Sequence, residues 1–316
     1  MRVFHAAAEV PEDFGPSVVT IGNFDGVHKG HAGIMRRVVA IARERGLVPA
    51  VLTFDPHPAR VLAPARAPKL IMTVPQRLRR LEQEGIEAVL VFPFSAEFAK
   101  LSPEEFAARI LVKGLRARCV LVGEDFRFGF RQAGHIGTLR TLGERFGFEL
   151  QPIPAITGGG ERISSTRIRS LVGTGKVSRA CRMMGAPFAL EGPVVSGRGI
   201  GSKQTVPTLN LAPENELLPG VGVYATRTRD EGSGAEWRSI TNVGYRPTFD
   251  GHGLTVETFL LDSPPPETPE RIEVAFLAFV RGERKFAGPE ELRAQILRDS
   301  AAVRRFHARI GRLRVG

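Results

Sequence analysis

Two histidines, His28 and His31, stand three residues apart where a β-branched run gives way to an amphipathic helix. A glycine-rich turn leads from that run into the helix and contains both histidines. Its candidate ligand-binding residues are Gly22, Phe24, Asp25, Gly26 and Gly30. A strand that leads through a glycine turn into a helix N-terminus favours anion binding, because unpaired backbone N–H groups and the positive dipole end face the ligand. Imidazole donors at that position suit the charge that builds on a phosphate oxygen during displacement at phosphorus.

Simpler interpretations of these histidines exist. A single histidine is most often a hydrogen-bonded surface or core residue. A metal pair with Asp25 is another alternative, although no third carboxylate or histidine follows at ligand spacing. The two cysteines, Cys119 and Cys181, form neither a metal-binding pattern nor a disulfide framework, and we expect both as small buried thiols in a reducing compartment.

Composition narrows the class of protein. The formal net charge is +11, from 44 Lys and Arg against 33 Asp and Glu. This excess would suit nucleic acid or phosphorylated small molecules, but no basic block with interleaved aromatic residues stands out, so we expect no nucleic-acid partner. No apolar run approaches the roughly 18 residues of a membrane span, and the N-terminus lacks a secretory signal. We therefore expect a cytoplasmic protein without a membrane partner, as a monomer or weak oligomer.

Strands and helices alternate through the first half of the chain. We predict strands at residues 18–21, 50–54, 88–92, 119–122 and 149–153, and helices at residues 31–44, 75–84, 103–112 and 136–146. Thr73 and Ser102 each open a helix with a capping box. This alternation predicts an α/β fold with a doubly wound parallel sheet, whose ligands bind beyond the carboxyl ends of the strands.

The sequence pattern of the chain changes after a glycine hinge at residues 158–160 and a helix at residues 178–184. Short alternating runs follow at residues 190–195, 223–229, 237–243, 254–261 and 272–279. Turn residues separate these runs, which predicts a small antiparallel β-barrel, and Pro289 opens a terminal helix. The domain boundary therefore falls near residues 184–187, which gives domains 1–185 and 186–316.

Four ordered segments carry a family resemblance: GNFDGVHKGH at residues 22–31, TFDPHP at 53–58, GEDFRFG at 123–129 and ISSTRIR at 163–169. The first resembles the HxGH signature of nucleotidylyltransferases, in the form typical of bifunctional riboflavin kinase/FMN adenylyltransferases, also called FAD synthetases. The resemblance implies that His28 and His31 are catalytic and hold the phosphates of ATP. The FMN phosphate would then attack the α-phosphorus and release pyrophosphate.

The resemblance also assigns the other segments. It implies ATP contacts, besides the glycine turn, from Ser164, Ser165, Thr166 and Arg167. It implies flavin contacts from His57, Asp125, Phe126 and Phe128. Taken without the resemblance, ISSTRIR would be a capped surface helix, the two phenylalanines ordinary packing residues, and His57 a turn residue only.

A second glycine-rich segment, GRGIGSK at residues 197–203, precedes PTLN at residues 207–210. It fits neither a Walker A motif nor a dinucleotide fingerprint. The pair resembles the riboflavin kinase domain, a small antiparallel barrel. The resemblance implies that the loop covers the phosphates of ATP through Gly197, Gly199, Gly201, Ser202 and Lys203. Thr208 and Asn210 would bind both this ATP and Mg²⁺, and Glu257 would be the catalytic base that accepts the proton of the ribityl hydroxyl.

Two departures from the family pattern concern the kinase. The family's PTAN is PTLN here, and the segment after Asp262 reads SPPPETPERIE, which bears on riboflavin binding. We predict a bifunctional enzyme that uses ATP, riboflavin and FMN with Mg²⁺ and makes FAD. One alternative is a monofunctional FMN adenylyltransferase with a non-catalytic barrel. Another is a flavin- or nucleotide-sensing regulator that binds nucleic acid without turnover.

Overall fold

The structure is a computed structural model. It describes residues 1–154, 157–158, 161–195, 208–248, 251–263, 265, 267–284 and 286–312. The chain divides into two compact units, Met1–Ser165 and Thr166–Gly316. The boundary expected between residues 185 and 186 lies later in the chain and remains a prediction.

The first unit is built on a six-stranded sheet in which every neighbouring pair is parallel. Its strands are β1 (Arg2–Phe4), β2 (Ser17–Ile21), β3 (Val48–Phe54), β4 (Ala88–Phe92), β5 (Ala117–Gly123) and β6 (Glu149–Ile153). Their order across the sheet is β1-β4-β3-β2-β5-β6. The five predicted strands are confirmed, and β1 is an addition at the edge. The two-residue strands β7 (Thr157–Gly158) and β8 (Glu161–Arg162) pair with each other beyond β6, while residues 159–160 of the expected hinge lie outside the described residues.

Helices of the first unit begin close to where the sequence predicts. They are α1 (Lys29–Arg45), α2 (Pro58–Leu62), α3 (Val74–Gln83), α4 (Pro103–Phe106), which continues as a π-helix (Ala107–Gly114), and α5 (Ile136–Phe146). Single 3-10 turns cover Ala7–Glu9, Pro64–Arg66, Phe98–Lys100 and Phe130–Gln132. Both predicted capping boxes form, at Thr73 and at Ser102. The proline-rich segment after β3, for which no helix was predicted, contains the short helix α2, and His57 caps it.

Helices cover both faces of the sheet, as a doubly wound fold requires. Val18 of β2 packs in one buried layer with Met35 of α1 and Leu81 of α3. Its neighbour Val19 packs in the other layer with Phe106 of α4. Successive residues of a strand point to opposite faces, so these strands are apolar on both sides.

The strand order places a topological switch point at β2. The chain proceeds from β2 to β3 and β4 on one side and then returns to β5 on the other side. Crevices for ligands form at such a point, beyond the carboxyl ends of the strands. The turn that carries His28 follows β2, and the GEDFRFG loop begins at the end of β5.

The second unit is a closed antiparallel barrel with helices α6 (Ser165–Gly173), α7 (Val177–Met184) and α8 (Pro289–Arg312). Its strands are β9 (Phe188–Val195), β10 (Thr208–Leu211), β11 (Gly222–Asp230), β12 (Glu236–Thr248), β13 (Gly251–Leu260) and β14 (Arg271–Arg281). They close in the order β10-β13-β12-β11-β14-β9, and β9 pairs with β10. The predicted barrel and terminal helix are confirmed. The four-residue strand β10, which contains the PTLN residues from Thr208 onward, was not predicted.

A chain of buried hydroxyl groups crosses three strands of the barrel. The Oγ1 atom of Thr226 lies 2.8 Å from the hydroxyl oxygens of both Ser239 and Thr241. Thr228 donates to Ser239 over 2.8 Å, and Thr241 lies 2.9 Å from Thr258. We call these five residues the hydroxyl ladder. Because each of the five hydroxyl groups bonds another, none of them carries the cost of a buried, unpaired polar group.

Replacing Thr73 by alanine should destabilise the first unit by about 1 kcal/mol, because the capping bond to the N–H of Gln76 at 3.2 Å is lost. Urea unfolding followed by circular dichroism measures the change. The single tryptophan, Trp237, and both tyrosines lie in the second unit, so the fluorescence transition is an internal control and should not move. Thr73→Ser, which keeps the capping hydroxyl, should stay within a few tenths of a kcal/mol of the parent.

Candidate active sites

The glycine turn after β2 has an unusual backbone. Phe24 and Val27 adopt positive φ angles of 48° and 30°, and Gly26 between them has a φ of 86°. Side-chain-bearing residues pay a conformational cost in this left-handed region, which folded proteins tolerate when the surroundings hold the backbone. The turn must therefore be anchored from outside.

Asp25 supplies one anchor. Its buried carboxylate accepts the backbone N–H of Ile71 through both oxygens at 3.0 Å and the N–H of Met72 at 3.1 Å. Gly26 allows the close approach, since a Cβ there would lie 3.0 Å from Cδ1 of Ile71. These bonds make Asp25 the residue that ties the turn to the segment before α3, and they favour anchoring over its role in a metal pair.

His28 and His31 meet at the start of α1. His28 is the N-cap residue, and its Nδ1 accepts the backbone N–H of His31 at 3.2 Å. The two imidazole rings stack with centroids 3.6 Å apart and an angle of 16° between their planes. Phe24 meets the ring of His31 edge-on at 5.1 Å. The expected pairing of the two histidines at a helix N-terminus is therefore present.

Both histidines are neutral at pH 7. Burial lowers the pKa of His28 to about 4. Burial, and next the neighbouring His28, hold the pKa of His31 well below its usual range. Because Nδ1 of His28 accepts a hydrogen bond, the proton of its neutral ring is on Nε2, which is thus a donor. Nδ1 of His31 is buried and has no hydrogen-bond partner among the described residues.

The ISSTRIR segment reaches the turn through Ser165. Its hydroxyl donates to the backbone carbonyl of Asp25 over 2.8 Å. Ser164 is half-buried beside it, while Thr166 and Arg167 are exposed in the first turn of α6. One end of this segment therefore lies at the glycine turn.

His57 contacts the protein through both ring nitrogens. Nδ1 accepts the N–H of Ala59 at 3.1 Å, and Nε2 lies 3.1 Å from Nδ2 of Asn23. A ring whose Nδ1 accepts carries its proton on Nε2, so this contact becomes a hydrogen bond when the amide of Asn23 is turned through 180° and its oxygen faces Nε2. These contacts favour the turn-residue interpretation of His57 over direct flavin contact.

The two phenylalanines of the GEDFRFG loop differ in exposure. Phe128 is buried and packs with Phe106 at a centroid distance of 5.5 Å. Phe126 is half-buried and stacks on Phe128 at 5.5 Å with 14° between the planes, and Asp125 is exposed. Packing therefore accounts for Phe128, whereas Phe126 retains accessible ring surface for a planar ligand.

Arg77 of α3 is a residue that the sequence analysis missed. Its guanidinium donates to the backbone carbonyls of Asn23 at 2.7 Å and Phe54 at 3.3 Å. A signal for it exists in the sequence, because Arg77 lies four residues before the buried Leu81 and so on the apolar stripe of the helix. A cation on such a stripe needs a buried partner.

The second site lies on the barrel wall. Asn210 of β10 stands directly opposite Glu257 of β13, and Thr208 shares their face two residues away. Asn242 of β12 stands opposite Glu257 on the other side. Glu257 is buried, and it points away from the hydroxyl ladder because its neighbour Thr258 belongs to that ladder. The structure thus brings together Thr208, Asn210 and Glu257, the three predicted kinase residues that lie within the described residues.

The remaining kinase predictions, Gly197, Gly199, Gly201, Ser202 and Lys203, lie outside the described residues. Across the part of the chain that is described, no group of three His, Cys, Asp or Glu side chains could hold a metal ion. Within that same part, every helix is too short or too polar to cross a membrane.

Comparisons with known proteins match both units. The family model for FAD synthetase matches residues 10–167, and the model for riboflavin kinase matches residues 184–307. The bifunctional riboflavin kinase/FMN adenylyltransferase of Escherichia coli strain K12 is 34% identical over 306 residues, which is 97% of each chain. The bifunctional enzyme of Pseudomonas fluorescens is 34% identical over 295 residues, which is 93% of this chain and 94% of the relative.

A solved structure matches the fold along nearly the whole chain. It is the crystal structure described as a macrolide-efflux protein from Streptococcus pneumoniae, with a TM-score of 0.85 at 29% sequence identity. The match covers 96% of this chain and 98% of the pneumococcal chain. Both units therefore have a counterpart in one experimentally determined chain.

The low pKa of His28 makes the stability of the first unit depend on pH. Between pH 6.5 and about 4, His28 binds a proton in the unfolded chain but not in the folded protein. The free energy of unfolding is therefore highest above pH 6.5, and it falls by up to about 3 kcal/mol as the pH drops to 4. Urea unfolding at several pH values, followed by circular dichroism, measures the slope.

His28→Asn is the matched variant for this measurement, because asparagine is a good N-cap residue that does not titrate. We expect its slope between pH 6.5 and 4 to be clearly shallower, with a remainder from His31. An unchanged slope would show that folding does not lower the pKa of His28.

Proposed function

We infer the two reactions of this chain from its family: it belongs to the bifunctional riboflavin kinase/FMN adenylyltransferases. Its C-terminal domain transfers a phosphoryl group from ATP to riboflavin and makes FMN. Its N-terminal domain transfers the adenylyl group of a second ATP to FMN, which makes FAD and pyrophosphate. The match to both family models favours this reading over a monofunctional adenylyltransferase. The observation that carries the site assignment is the stacked histidine pair at the switch point of the sheet.

In the adenylyl transfer, we propose that His28 and His31 stabilise the reacting phosphates. An oxygen of the FMN phosphate attacks the α-phosphorus of ATP, and the bond from that phosphorus to the bridging oxygen of the β-phosphate breaks. Negative charge grows on the phosphate oxygens as pyrophosphate leaves. Neutral imidazoles serve here as N–H donors, and Nε2 of His28 carries the required proton. The N-terminus of α1 adds its dipole.

The other proposed ATP contacts divide by what they touch. Gly22, Gly26 and Gly30 allow the backbone to approach the nucleotide, and Phe24 packs against His31. Asp25 contributes by anchoring the turn. Ser164, Ser165, Thr166 and Arg167 are proposed to bind the triphosphate. The bond from Ser165 to the Asp25 carbonyl supports the nearness of this segment to the turn.

For the flavin we propose Phe126 as the stacking residue. Its half-buried ring sits on the loop that follows β5, at the carboxyl edge where the switch point also lies. Asp125 is exposed next to it and could accept hydrogen bonds from a polar ring edge. Phe128 would support Phe126 from below, and His57 would position Asn23.

In the kinase reaction we propose Glu257 as the general base. The terminal ribityl hydroxyl gives its proton to this carboxylate while its oxygen attacks the γ-phosphorus of ATP, and ADP leaves. Glu257 is buried on the strand next to Thr208 and Asn210, which supports their joint action. Gly197, Gly199, Gly201, Ser202 and Lys203 are proposed to cover the phosphates.

Mg²⁺ is proposed for both reactions. The hydroxyl of Thr208 and the amide oxygen of Asn210 are hard donors, and they share one face of the barrel wall. Such a sparse set fits Mg²⁺, which proteins often hold through one or two side chains plus substrate phosphates. When bound, the ion would neutralise charge on the transferring phosphates.

We propose that residues 1–185 form the adenylyltransferase domain and residues 186–316 the kinase. The FAD synthetase match ends at residue 167 and the riboflavin kinase match begins at residue 184, which supports a boundary in this interval. We further propose a cytoplasmic protein, monomeric or weakly oligomeric, that binds small molecules and no nucleic acid. The free thiols of Cys119 and Cys181 support a reducing compartment.

Incubation of the protein with riboflavin, ATP and Mg²⁺, followed by chromatography of the flavins, tests the whole proposal. We expect FMN first and then FAD. A second incubation that starts from FMN isolates the adenylyl transfer, and absence of both FAD and pyrophosphate there would contradict it. Salt-sensitive nucleic-acid binding without flavin turnover would favour the regulator instead.

His31→Ala should lower FAD formation from FMN at least about 100-fold, because a donor to the reacting phosphates is lost. FMN formation from riboflavin should persist in the same preparation. His5→Ala is the matched control, since His5 is an exposed histidine of the same unit. Equal loss of both activities in His31→Ala would contradict the two-site assignment.

Glu257→Gln should do the reverse. The amide keeps the shape of the carboxylate but cannot accept the proton, so FMN formation should fall by about 100-fold or more while FAD formation from FMN remains. Glu236→Gln, at an exposed position of the same barrel, is the control and should leave both rates unchanged. Normal kinase activity in Glu257→Gln would remove the proposed base.

A further inference from the structure

Arg77 is a charged side chain in the core of the first unit, with only 4% of its surface exposed. It lies on α3, outside the four segments that resemble the family. Burial lowers the pKa of its guanidinium, against the opposing pull of Asp25 and Asp55. Burying a cation costs free energy unless hydrogen bonds and nearby charges compensate for the lost water, so the groups that Arg77 bonds are important.

Those contacts join the ends of two neighbouring strands. One terminal nitrogen donates to the carbonyl of Asn23, in the turn after β2, over 2.7 Å. The other donates to the carbonyl of Phe54, at the end of β3, over 3.3 Å. The Nε atom is buried and has no hydrogen-bond partner within the described residues. The guanidinium fork therefore spans the two chain segments at the switch-point edge.

The carbonyl of Asn23 is a critical place to hold. It directly precedes Phe24, the first residue of the turn with a left-handed backbone, and it also accepts the hydroxyl of Thr53 at 3.2 Å. Five residues after Asn23 the chain reaches His28, the N-cap of α1. A small rotation at Asn23 would thus be carried into the position of the His28 ring.

We propose that Arg77 is a positioning residue for adenylyl transfer: by clamping the carbonyls of Asn23 and Phe54, it holds the strained turn so that His28 and His31 meet the developing phosphate charge. The inference rests on the proposed function of that histidine pair. Arg77 itself need not touch ATP. Its effect is on the transition state, where donors displaced by a fraction of an ångström lose most of their value.

Two substitutions test this proposal. Arg77→Lys keeps the charge but replaces the planar fork of two terminal nitrogens by one ammonium nitrogen, which does not reproduce the geometry of the clamp, and Arg77→Ala removes the clamp. We expect kcat for FAD formation from FMN to fall about 100-fold in Arg77→Ala, and by less in Arg77→Lys. KM for ATP should stay within about twofold, because an interaction expressed in the transition state is lost. FMN formation by the barrel of the same molecule should be unchanged.

Guanidinium ion provides the decisive rescue. Added at low concentration to Arg77→Ala, it can occupy the vacated space and bond both carbonyls, so we expect partial recovery of FAD formation. Sodium chloride at the same ionic strength should give none. Arg80→Lys is the matched control, because Arg80 is on the same helix and bonds Gln83 near its end. It should behave like the parent.

Each outcome is informative. If the parent protein makes no FAD from FMN, the proposed function itself fails. If the parent does, and Arg77→Ala matches Arg80→Lys in kcat, the inference fails alone. A rise in KM for ATP at constant kcat would make Arg77 a substrate-binding residue and overturn the positioning role. Loss of the first unit's circular dichroism signal in both variants, without guanidinium rescue, would make it a folding residue and overturn the role as well.

Discussion

Hydrogen bonds from two backbone N–H groups to one buried carboxylate underlie the proposed adenylyltransferase site. Asp25 accepts the N–H groups of Ile71 and Met72, and this fastens a left-handed turn that would be costly on its own. Where the turn ends determines where α1 begins. The position of His28 as N-cap, and hence its stacking on His31, follows from a contact in which neither histidine takes part.

Much of this arrangement could be predicted from local patterns. The strand and helix order, the capping box at Thr73 and the pairing of His28 with His31 depend on residues a few positions apart. The anchors could not, because Asp25 meets a segment 46 residues away and Arg77 meets carbonyls 54 and 23 residues away. The edge strand β1 and the short helix α2 were not predicted, because an element of three to five residues is too short to show a hydrophobic periodicity.

The barrel shows how one strand can serve two purposes. In β13, Glu257 lies on the face of the sheet that also carries Asn210, while the next residue, Thr258, lies on the opposite face and belongs to the hydroxyl ladder. The resemblance to riboflavin kinases predicted Glu257 and Asn210 as site residues. Nothing in the sequence identified the ladder, because threonine and serine in alternating strands are equally typical of a solvated face. Pairing of β11, β12 and β13 makes them each other's partners, and the barrel buries all five of them.

That pairing limits how the barrel can drift in evolution. Thr226 bonds two neighbours at once, so exchanging it for valine would remove one hydrogen bond from each of Ser239 and Thr241 and leave them only their bonds to Thr228 and Thr258. An apolar replacement becomes tolerable only when adjoining members change with it. The ladder should thus be inherited or lost as a block, and related barrels should differ there in groups of substitutions rather than one at a time.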